Sequence, residues 1–182
     1  LLRLGVERGS GPFSLRYPRD SVPAPVPALS DIPEIEYGTW EVLRRGEGLA
    51  ILAVGTMVLP ALAAARILEA EGIEATVVNC RFLKPHDAET LAWVADRHDA
   101  IVTVEEGTVV NGFGALISRL LAGPEYADRT LHLEIMGVPD RIIQHASRAE
   151  QLEEVGLTPE AIAARARELA GRARLARARE TA

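Results

Sequence analysis

The sequence is poor in the features that mark disulfide-bonded and nucleic-acid-binding proteins. It has a single cysteine, Cys80, which excludes an intrachain disulfide and predicts a reducing, cytoplasmic location. Since no partner base can be assigned to this thiol, we interpret Cys80 as a small buried hydrophobe rather than a nucleophile. The formal net charge of −6 argues against nucleic-acid partners, because they need a basic face.

Long apolar runs are also lacking. The uncharged segment 49–65 is shorter than the roughly 20 residues that span a bilayer, and Gly55 and Pro60 interrupt it. It is better interpreted as a buried strand that turns at Gly55 into a helix with Pro60 in its first turn. The first residues carry Arg3 and Glu7 and do not resemble a signal peptide. We therefore predict no membrane partner.

Motifs that would carry chemistry by themselves are missing. Residues 111–114 (Asn-Gly-Phe-Gly) lack the third glycine of a dinucleotide fingerprint and the Gly-Lys-Ser/Thr of a phosphate-binding loop. We expect Asn111 or Gly112 to adopt a left-handed conformation there. No serine lies in a nucleophile elbow. The histidines show no metal-ligand spacing and are interpreted as surface or structural residues: His86, His98, His132 and His145.

What is present is a regular alternation of strands and helices. Continuous apolar runs predict buried parallel strands, and helical spacing of apolar residues follows each of them. The predicted strands are 49–54, 75–78, 100–104 and 131–135. Helices are predicted up to Glu71, from an N-cap at Asp87 to about Arg97, from about 113 to near Gly123, and from Pro159. The fold class is α/β: three α/β/α layers around a mainly parallel sheet of about five strands.

Ligands of such sheets bind outside the carboxyl ends of the strands. The residues that follow the predicted strands are Gly55-Thr56, Arg81, Glu105-Glu106 and Pro139-Asp140. They could form a polar site, or they could pair with one another and cap helix N-termini, which is the commoner role. Adjacent carboxylates such as Glu105 and Glu106 are expected to diverge. The last helix, rich in arginine but without interleaved aromatic residues, is expected to be solvated and to fray toward Ala182.

A proline-rich junction precedes this pattern. Five of the eleven prolines fall between Pro18 and Pro33. The residues before the junction are too few to form a domain. Because the chain also opens on Leu1 rather than methionine, we expect it to be part of a longer polypeptide.

Six motifs, taken in order and spacing, resemble the carboxyl-terminal third of the 1-deoxy-D-xylulose-5-phosphate synthase family. They are Arg-Tyr-Pro-Arg at 16–19, Ala-Val-Gly-Thr-Met-Val at 53–58, Arg-Phe-Leu-Lys-Pro at 81–85, Thr-Val-Glu-Glu at 103–106, Gly-Phe-Gly at 112–114 and Pro-Asp at 139–140. The resemblance extends from about Gly11 to about Leu169. It implies a transketolase C-terminal-like domain at 39–182, a linker at 21–38, and the end of a pyrimidine-binding domain at 1–20.

The resemblance implies an enzyme that condenses pyruvate with D-glyceraldehyde 3-phosphate and releases carbon dioxide, with thiamine diphosphate and Mg²⁺ as cofactors. It also implies a homodimer and a role in isoprenoid and thiamine biosynthesis. The family's magnesium motif and its activating glutamate have no counterpart in this chain. We therefore expect no catalytic, cofactor-binding or metal-binding residue here. The missing amino-terminal part would be an obligatory partner, and the chain would be inactive alone.

One substrate contact is implied by the resemblance. The second arginine of the family's Arg-Tyr-Pro-Arg motif lies at the phosphate end of the acceptor site and maps to Arg19. A guanidinium suits a phosphate through parallel hydrogen bonds. An arginine that merely anchors the linker is the alternative. The sequence departs from the family at Asp20 and Ala146, where glycine is usual.

Two other functions remain compatible with the sequence. The chain could be a stand-alone dimerisation or binding module without catalysis. It could also be the last domain of a 2-oxo acid dehydrogenase E1 β subunit, which shares the fold. Arg19 favours the synthase, because the dehydrogenase has no phosphorylated acceptor in that step.

Overall fold

The computed structural model of the chain describes residues 1–9, 11–18, 25 and 28–180. Its helices and strands, in chain order, are α1 (Leu2–Arg8), β1 (Glu41–Arg44), β2 (Leu49–Ala53), α2 (Val58–Ala70), β3 (Ala75–Asn79), α3 (Ala88–Arg97), β4 (Ala100–Thr108), α4 (Phe113–Leu121), β5 (His132–Val138), α5 (Arg148–Glu154) and α6 (Pro159–Glu180). Short 3₁₀ turns lie at Leu29–Asp31, Gly55–Met57 and Pro124–Tyr126.

The strands form one sheet in the order β1-β3-β2-β4-β5. Strands β3, β2, β4 and β5 pair in parallel, and β1 pairs with β3 in antiparallel orientation at the edge. Side chains of α2 and α6 pack on one face, and side chains of α3 and α4 pack on the other. The predicted three-layer fold with a mainly parallel sheet is confirmed.

The core follows from the apolar strands. All five residues of β2 are buried, and successive side chains point to opposite faces. Leu49 and Ile51 join the α2/α6 side, whereas Ala50 and Leu52 join the α3/α4 side. Because helices cover both faces of β2, every position of the strand needs an apolar side chain, and the sequence is a continuous apolar run.

Two strands extend further than the sequence predicts. The predicted end of the third strand at residue 104, with Glu105 and Glu106 after it, is wrong, because β4 continues to Thr108. Strand β5 continues to Val138 rather than ending at Ile135. The register shifts between Val104 and Thr108, after which Thr108 pairs with Val138. The last three residues of β4, from Glu106 to Thr108, are exposed and show no apolar signal, whereas Met136 and Val138 of the β5 extension pack on the α2/α6 side of the core.

The helix termini confirm two local predictions. Asp87 caps α3, since its Oδ1 accepts a hydrogen bond of 2.8 Å from the Thr90 N–H. The other oxygen of Asp87 accepts a hydrogen bond of 2.7 Å from the Trp40 N–H. Asp87 therefore links the start of α3 to the residue that precedes β1. Asn111, rather than Gly112, adopts the left-handed conformation before α4, with φ of 58°.

The arginine-rich last helix has two different faces. Its small apolar residues, including Ile162, Ala166 and Leu169, are buried against α2 and the sheet. Its arginines are exposed, and four of them, Arg165, Arg167, Arg172 and Arg177, pair with carboxylates, as in the two hydrogen bonds of 2.5 Å from Arg167 to Glu71. The expectation of a merely solvated helix was incomplete. None of the described helices is long and apolar enough to cross a membrane.

The amino-terminal segment packs beside the first residues of the domain. Leu4 and Phe13 contact the α3/α4 side of the core. The guanidinium of Arg8 stacks over the Tyr37 ring at 3.5 Å from its centroid. Tyr37 in turn makes an edge-to-face contact with Phe82, with the ring centroids 5.5 Å apart. Helix α1 therefore lies next to the point where β3 ends.

Candidate functional site

The sheet has one topological switch point. The connection that leaves β2 enters α2 on one face, and the connection that leaves the neighbouring β4 enters α4 on the opposite face. Diverging connections open a crevice outside the carboxyl ends of two adjacent strands. The crevice between β2 and β4 is therefore the position at which a ligand site is expected in a sheet of this type.

Thr56, Glu106 and Arg148 meet at the switch point. The Thr56 hydroxyl donates a hydrogen bond of 2.5 Å to Oε2 of Glu106. The guanidinium of Arg148 donates through Nε to Oε1, at 2.9 Å, and through Nη2 to Oε2, at 2.8 Å. The hydrogen bonds from Arg148 have the largest effect and lower the pKa of Glu106; burial opposes them, and the hydrogen bond from Thr56 lowers the pKa further. Glu106 is thus an ionised and neutralised carboxylate.

The neighbouring carboxylate turns into the protein. Glu105 is buried, and its Oε1 accepts a hydrogen bond of 2.8 Å from the Gly114 N–H at the start of α4. Glycines surround it: a Cβ at Gly107 would lie 2.6 Å from Oε2 of Glu105, and one at Gly112 would lie 2.5 Å from Oε1. The predicted divergence of Glu105 and Glu106 is confirmed. Glu105 joins β4 to the N-terminus of α4.

The other strand-end residues do not converge on this cluster. Arg81 donates hydrogen bonds of 2.9 Å to the carbonyl and to the hydroxyl of Thr39, and it lies 3.7 Å from Glu41. It therefore fixes the entry to β1. Asp140 is exposed after the end of β5. The charged residues near the strand ends therefore pair with neighbours or cap a helix, in agreement with the second alternative predicted from the sequence, and they do not form a single polar site.

The cysteine and the histidines are not part of this cluster. Cys80 is fully buried, and burial raises the pKa of its thiol well above the ordinary value, which confirms its interpretation as a hydrophobe. His98 is buried at the amino ends of the strands, where Nδ1 lies 2.8 Å from the Val94 carbonyl and Nε2 lies 2.8 Å from Oγ1 of Thr76. His145 is exposed.

Arg19, the one substrate contact implied by the resemblance, lies outside the described residues, as does Asp20. The described part of the motif, Arg16 to Pro18, is largely exposed, and the Tyr17 side chain is 84% exposed. No cluster of three or more histidine, cysteine or acidic side chains suited to a metal ion occurs among the described residues.

Sequence reasoning missed Arg148. A signal for its position exists in the capping box Ser147-x-x-Glu150, in which the two side chains each bond the other residue's backbone N–H. Since Ser147 is the N-cap, Arg148 is the first residue of α5. That the first turn of α5 faces Glu106 depends on the path of the chain after β5, which no local pattern encodes.

Comparison with known proteins agrees with this architecture. The sequence profile described as "Transketolase, C-terminal domain" matches residues 38–162. A structure described as a split-gene transketolase, an inactive beta4 tetramer, is 34% identical, with a TM-score of 0.69 over 76% of this chain and 44% of that chain. A transketolase mutant of Pichia stipitis (R525L), 22% identical over 74% of this chain and 18% of that one, shares the fold with a TM-score of 0.56.

Similar sequences include three 1-deoxy-D-xylulose-5-phosphate synthases. That of Gloeobacter violaceus is 44% identical over 165 residues, 90% of this chain and 25% of the relative. Those of Aquifex aeolicus and Trichormus variabilis are 44% and 40% identical over 89% and 88% of this chain, again 25% of each relative. The chain thus spans about a quarter of the length of these relatives, and the resemblance seen in its motifs is confirmed. It belongs to the transketolase C-terminal domain family.

Proposed function

We propose that this chain is the carboxyl-terminal part of a thiamine-diphosphate-dependent synthase that condenses pyruvate with D-glyceraldehyde 3-phosphate and releases carbon dioxide. The observation that carries the proposal is the 44% identity with the Gloeobacter violaceus synthase over 90% of this chain. The cofactor, when bound, supplies the electron sink for the carbanion. Its site, with Mg²⁺, is assigned to the part of the enzyme that corresponds to the remaining length of the relatives.

The proposal gives this chain a supporting role in catalysis. Residues 39–182 form the transketolase-type domain, residues 21–38 form the linker, and residues 1–20 belong to the preceding pyrimidine-binding domain. Within residues 1–20, Arg19 binds the phosphate of the acceptor, because a guanidinium offers a phosphate parallel hydrogen bonds and a permanent charge. The complete enzyme is a cytoplasmic homodimer, and the 182-residue chain has no activity by itself.

A chimeric enzyme tests the proposal. The 165-residue region of the Gloeobacter enzyme that aligns with this chain is replaced by its counterpart from this chain. We expect the chimera to form 1-deoxy-D-xylulose 5-phosphate from pyruvate and D-glyceraldehyde 3-phosphate, measured by mass spectrometry. The Gloeobacter enzyme truncated at the same point and the isolated chain are the controls, and both are expected to be inactive.

A folded chimera that binds thiamine diphosphate but forms no product would contradict the proposal. Circular dichroism and cofactor titration separate that result from simple misfolding. Activity with 2-oxo acids in the absence of any phosphorylated acceptor would instead support an E1 β subunit. Retention of full activity by the truncated enzyme would identify the domain as a separate binding module.

A further inference from the structure

The carboxyl ends and the amino ends of the parallel strands form two opposite edges of the sheet, and these two edges differ in how many apolar side chains they expose. Ten large hydrophobic side chains are exposed among the described residues, and four of them follow the four parallel strands, one after each strand. These four are Leu59 after β2, Leu83 after β3, Val110 after β4 and Ile142 after β5. Their exposed fractions are 56%, 43%, 47% and 86%. We call them the carboxyl-edge surface.

The opposite edge has no such residues among those described. The segments that lead into β2, β3, β4 and β5, residues 45–48, 71–74, 98–99 and 127–131, contain no exposed large hydrophobic side chain. They carry charges instead, such as Glu71, which pairs with Arg167, and Asp99, which pairs with Arg177 at 2.8 Å. Among the described segments that flank the parallel strands, exposed large hydrophobic side chains therefore occur only at the carboxyl ends, which favours that edge as an interaction surface.

The carboxylate at the centre of the carboxyl edge is already paired. Glu106 lies at the centre of this edge and is held by Arg148 and Thr56. Covering an unpaired carboxylate would be costly, whereas a carboxylate with its hydrogen bonds made inside the domain can be covered at a lower cost. The centre of a protein interface is similarly depleted of unpaired charge.

The polypeptide that precedes the domain approaches the same edge. Arg8 stacks on Tyr37, and Tyr37 contacts Phe82, the residue before Leu83. On α1, Leu2 and Val6 are themselves 66% and 75% exposed. The contacts of Arg8 and Tyr37 bring the helix that carries these two side chains close to the β3 end of the carboxyl-edge surface.

We infer that the carboxyl-edge surface is the face on which this domain docks against the preceding part of the same polypeptide. This inference rests on the proposed function, since the relatives are about four times as long as the matched region. The occupant is an apolar surface of the preceding domain, reached through α1. The neutralised Glu106 lies within the covered area, so the switch point is closed rather than left as an open ligand site.

Hydrogen–deuterium exchange tests the docking, with the isolated chain compared with the chimera. We expect amides in residues 56–60, 81–84, 108–112 and 140–144 to exchange at least tenfold more slowly in the chimera. Residues 71–74 and 98–99 at the opposite edge should exchange equally in both proteins. Equal exchange of the carboxyl-edge segments in both would overturn the inference.

Matched variants identify the occupied surface. In the chimera, Ile142→Asp should restore fast exchange at 108–112 and 140–144, and Val110→Asp is a second variant at the same edge. Leu175→Asp is the control, because Leu175 is 65% exposed on α6, away from this edge. Equal effects of Leu175→Asp and Ile142→Asp would overturn the inference.

The exchange experiment, together with sedimentation, separates the alternatives. Exchange reports docking whether or not the chimera turns over, so an inactive chimera with a protected carboxyl edge contradicts only the proposed reaction. An active chimera with an unprotected edge contradicts only the docking. Sedimentation of the isolated chain detects self-association; a dimer that Ile142→Asp dissociates would show that a second copy occupies this surface and would also overturn the inference.

Discussion

The Glu105 carboxylate accepts a hydrogen bond of 2.8 Å from the Gly114 backbone N–H and joins the end of β4 to the first turn of α4. Glu105 is 6% exposed, and glycines at 107, 112 and 137 leave room for its side chain. A buried carboxylate in this position holds the loop that carries Val110. Two carboxylates therefore organise the switch point. Glu105 is buried and bonded to the start of α4, and Glu106 is more exposed and bonded to Thr56 and Arg148.

Removal of the Glu105 side chain should destabilise the domain. Glu105→Ala leaves the buried Gly114 N–H without its acceptor, and an unsatisfied buried donor costs about 1–3 kcal/mol. We expect the free energy of unfolding in urea to fall by that amount. Glu106→Ala is the control, since a partly exposed ion pair contributes about 0–1 kcal/mol. A loss for Glu106→Ala as large as that for Glu105→Ala would contradict this assignment.

Two glycine substitutions should act in opposite directions. Gly112→Ala places a Cβ 2.5 Å from Oε1 of Glu105 and close to the Thr108 carbonyl, and overpacking of this kind costs about 1–3 kcal/mol. Gly171 lies within α6, and a Cβ there would meet nothing within 4 Å. Gly171→Ala should therefore stabilise the domain by about 0.5–1 kcal/mol. Thermal unfolding of both variants measures the difference, and a stabilising Gly112→Ala would refute the close packing.

The sequence predicts the layers of this fold but not its edges. Apolar runs at β2, β3 and β4 reveal buried strands because both faces of a central strand need apolar side chains. Strand β1 has only four residues and one covered edge, so Glu41–Arg44 carries little periodic signal. The continuation of β4 through Glu105 to Thr108 depends on pairing with β5, a contact between segments distant in sequence.

The candidate site shows the same division. Thr56 and Glu106 are both among the residues that the sequence places at strand ends, and the structure brings them together, although Glu106 lies within β4 rather than after it. Arg148 enters the cluster from α5, 42 residues beyond Glu106, so its part in the site follows only from tertiary structure. Prediction from the sequence therefore found the carboxylate but missed the cation that neutralises it.

The contribution of the Glu106 carboxylate should depend on pH. Because Arg148 and Thr56 hold its pKa below the ordinary value, the native state favours the ionised form. The resulting stabilisation is complete above the unfolded-state pKa, about 4.3, and is lost as the pH falls through the lower folded-state pKa. The difference in unfolding free energy between wild type and Glu106→Gln should therefore shrink as the solution is acidified through this window.

Urea unfolding of both proteins over that pH series gives the measurement. Arg148→Met provides a second check, since without the guanidinium the carboxyl carbon of Glu106 should titrate at a higher pH in NMR spectra. A difference between wild type and Glu106→Gln that stays constant throughout the acid range would show that the pair does not stabilise the ionised form.

Replacement of Arg19 should affect use of the phosphorylated acceptor. In the active chimera, with residues 11–20 taken from this chain, Arg19→Ala removes charged hydrogen bonds worth about 1.5–3 kcal/mol, so kcat/KM for D-glyceraldehyde 3-phosphate should fall roughly ten- to a hundredfold. Most of the change should be in KM, because the phosphate is bound in both ground and transition states. Affinity for thiamine diphosphate and the KM for pyruvate should stay unchanged. Arg16→Ala, three positions earlier in the motif, is the matched control, and an equal loss for pyruvate would contradict a phosphate contact at Arg19.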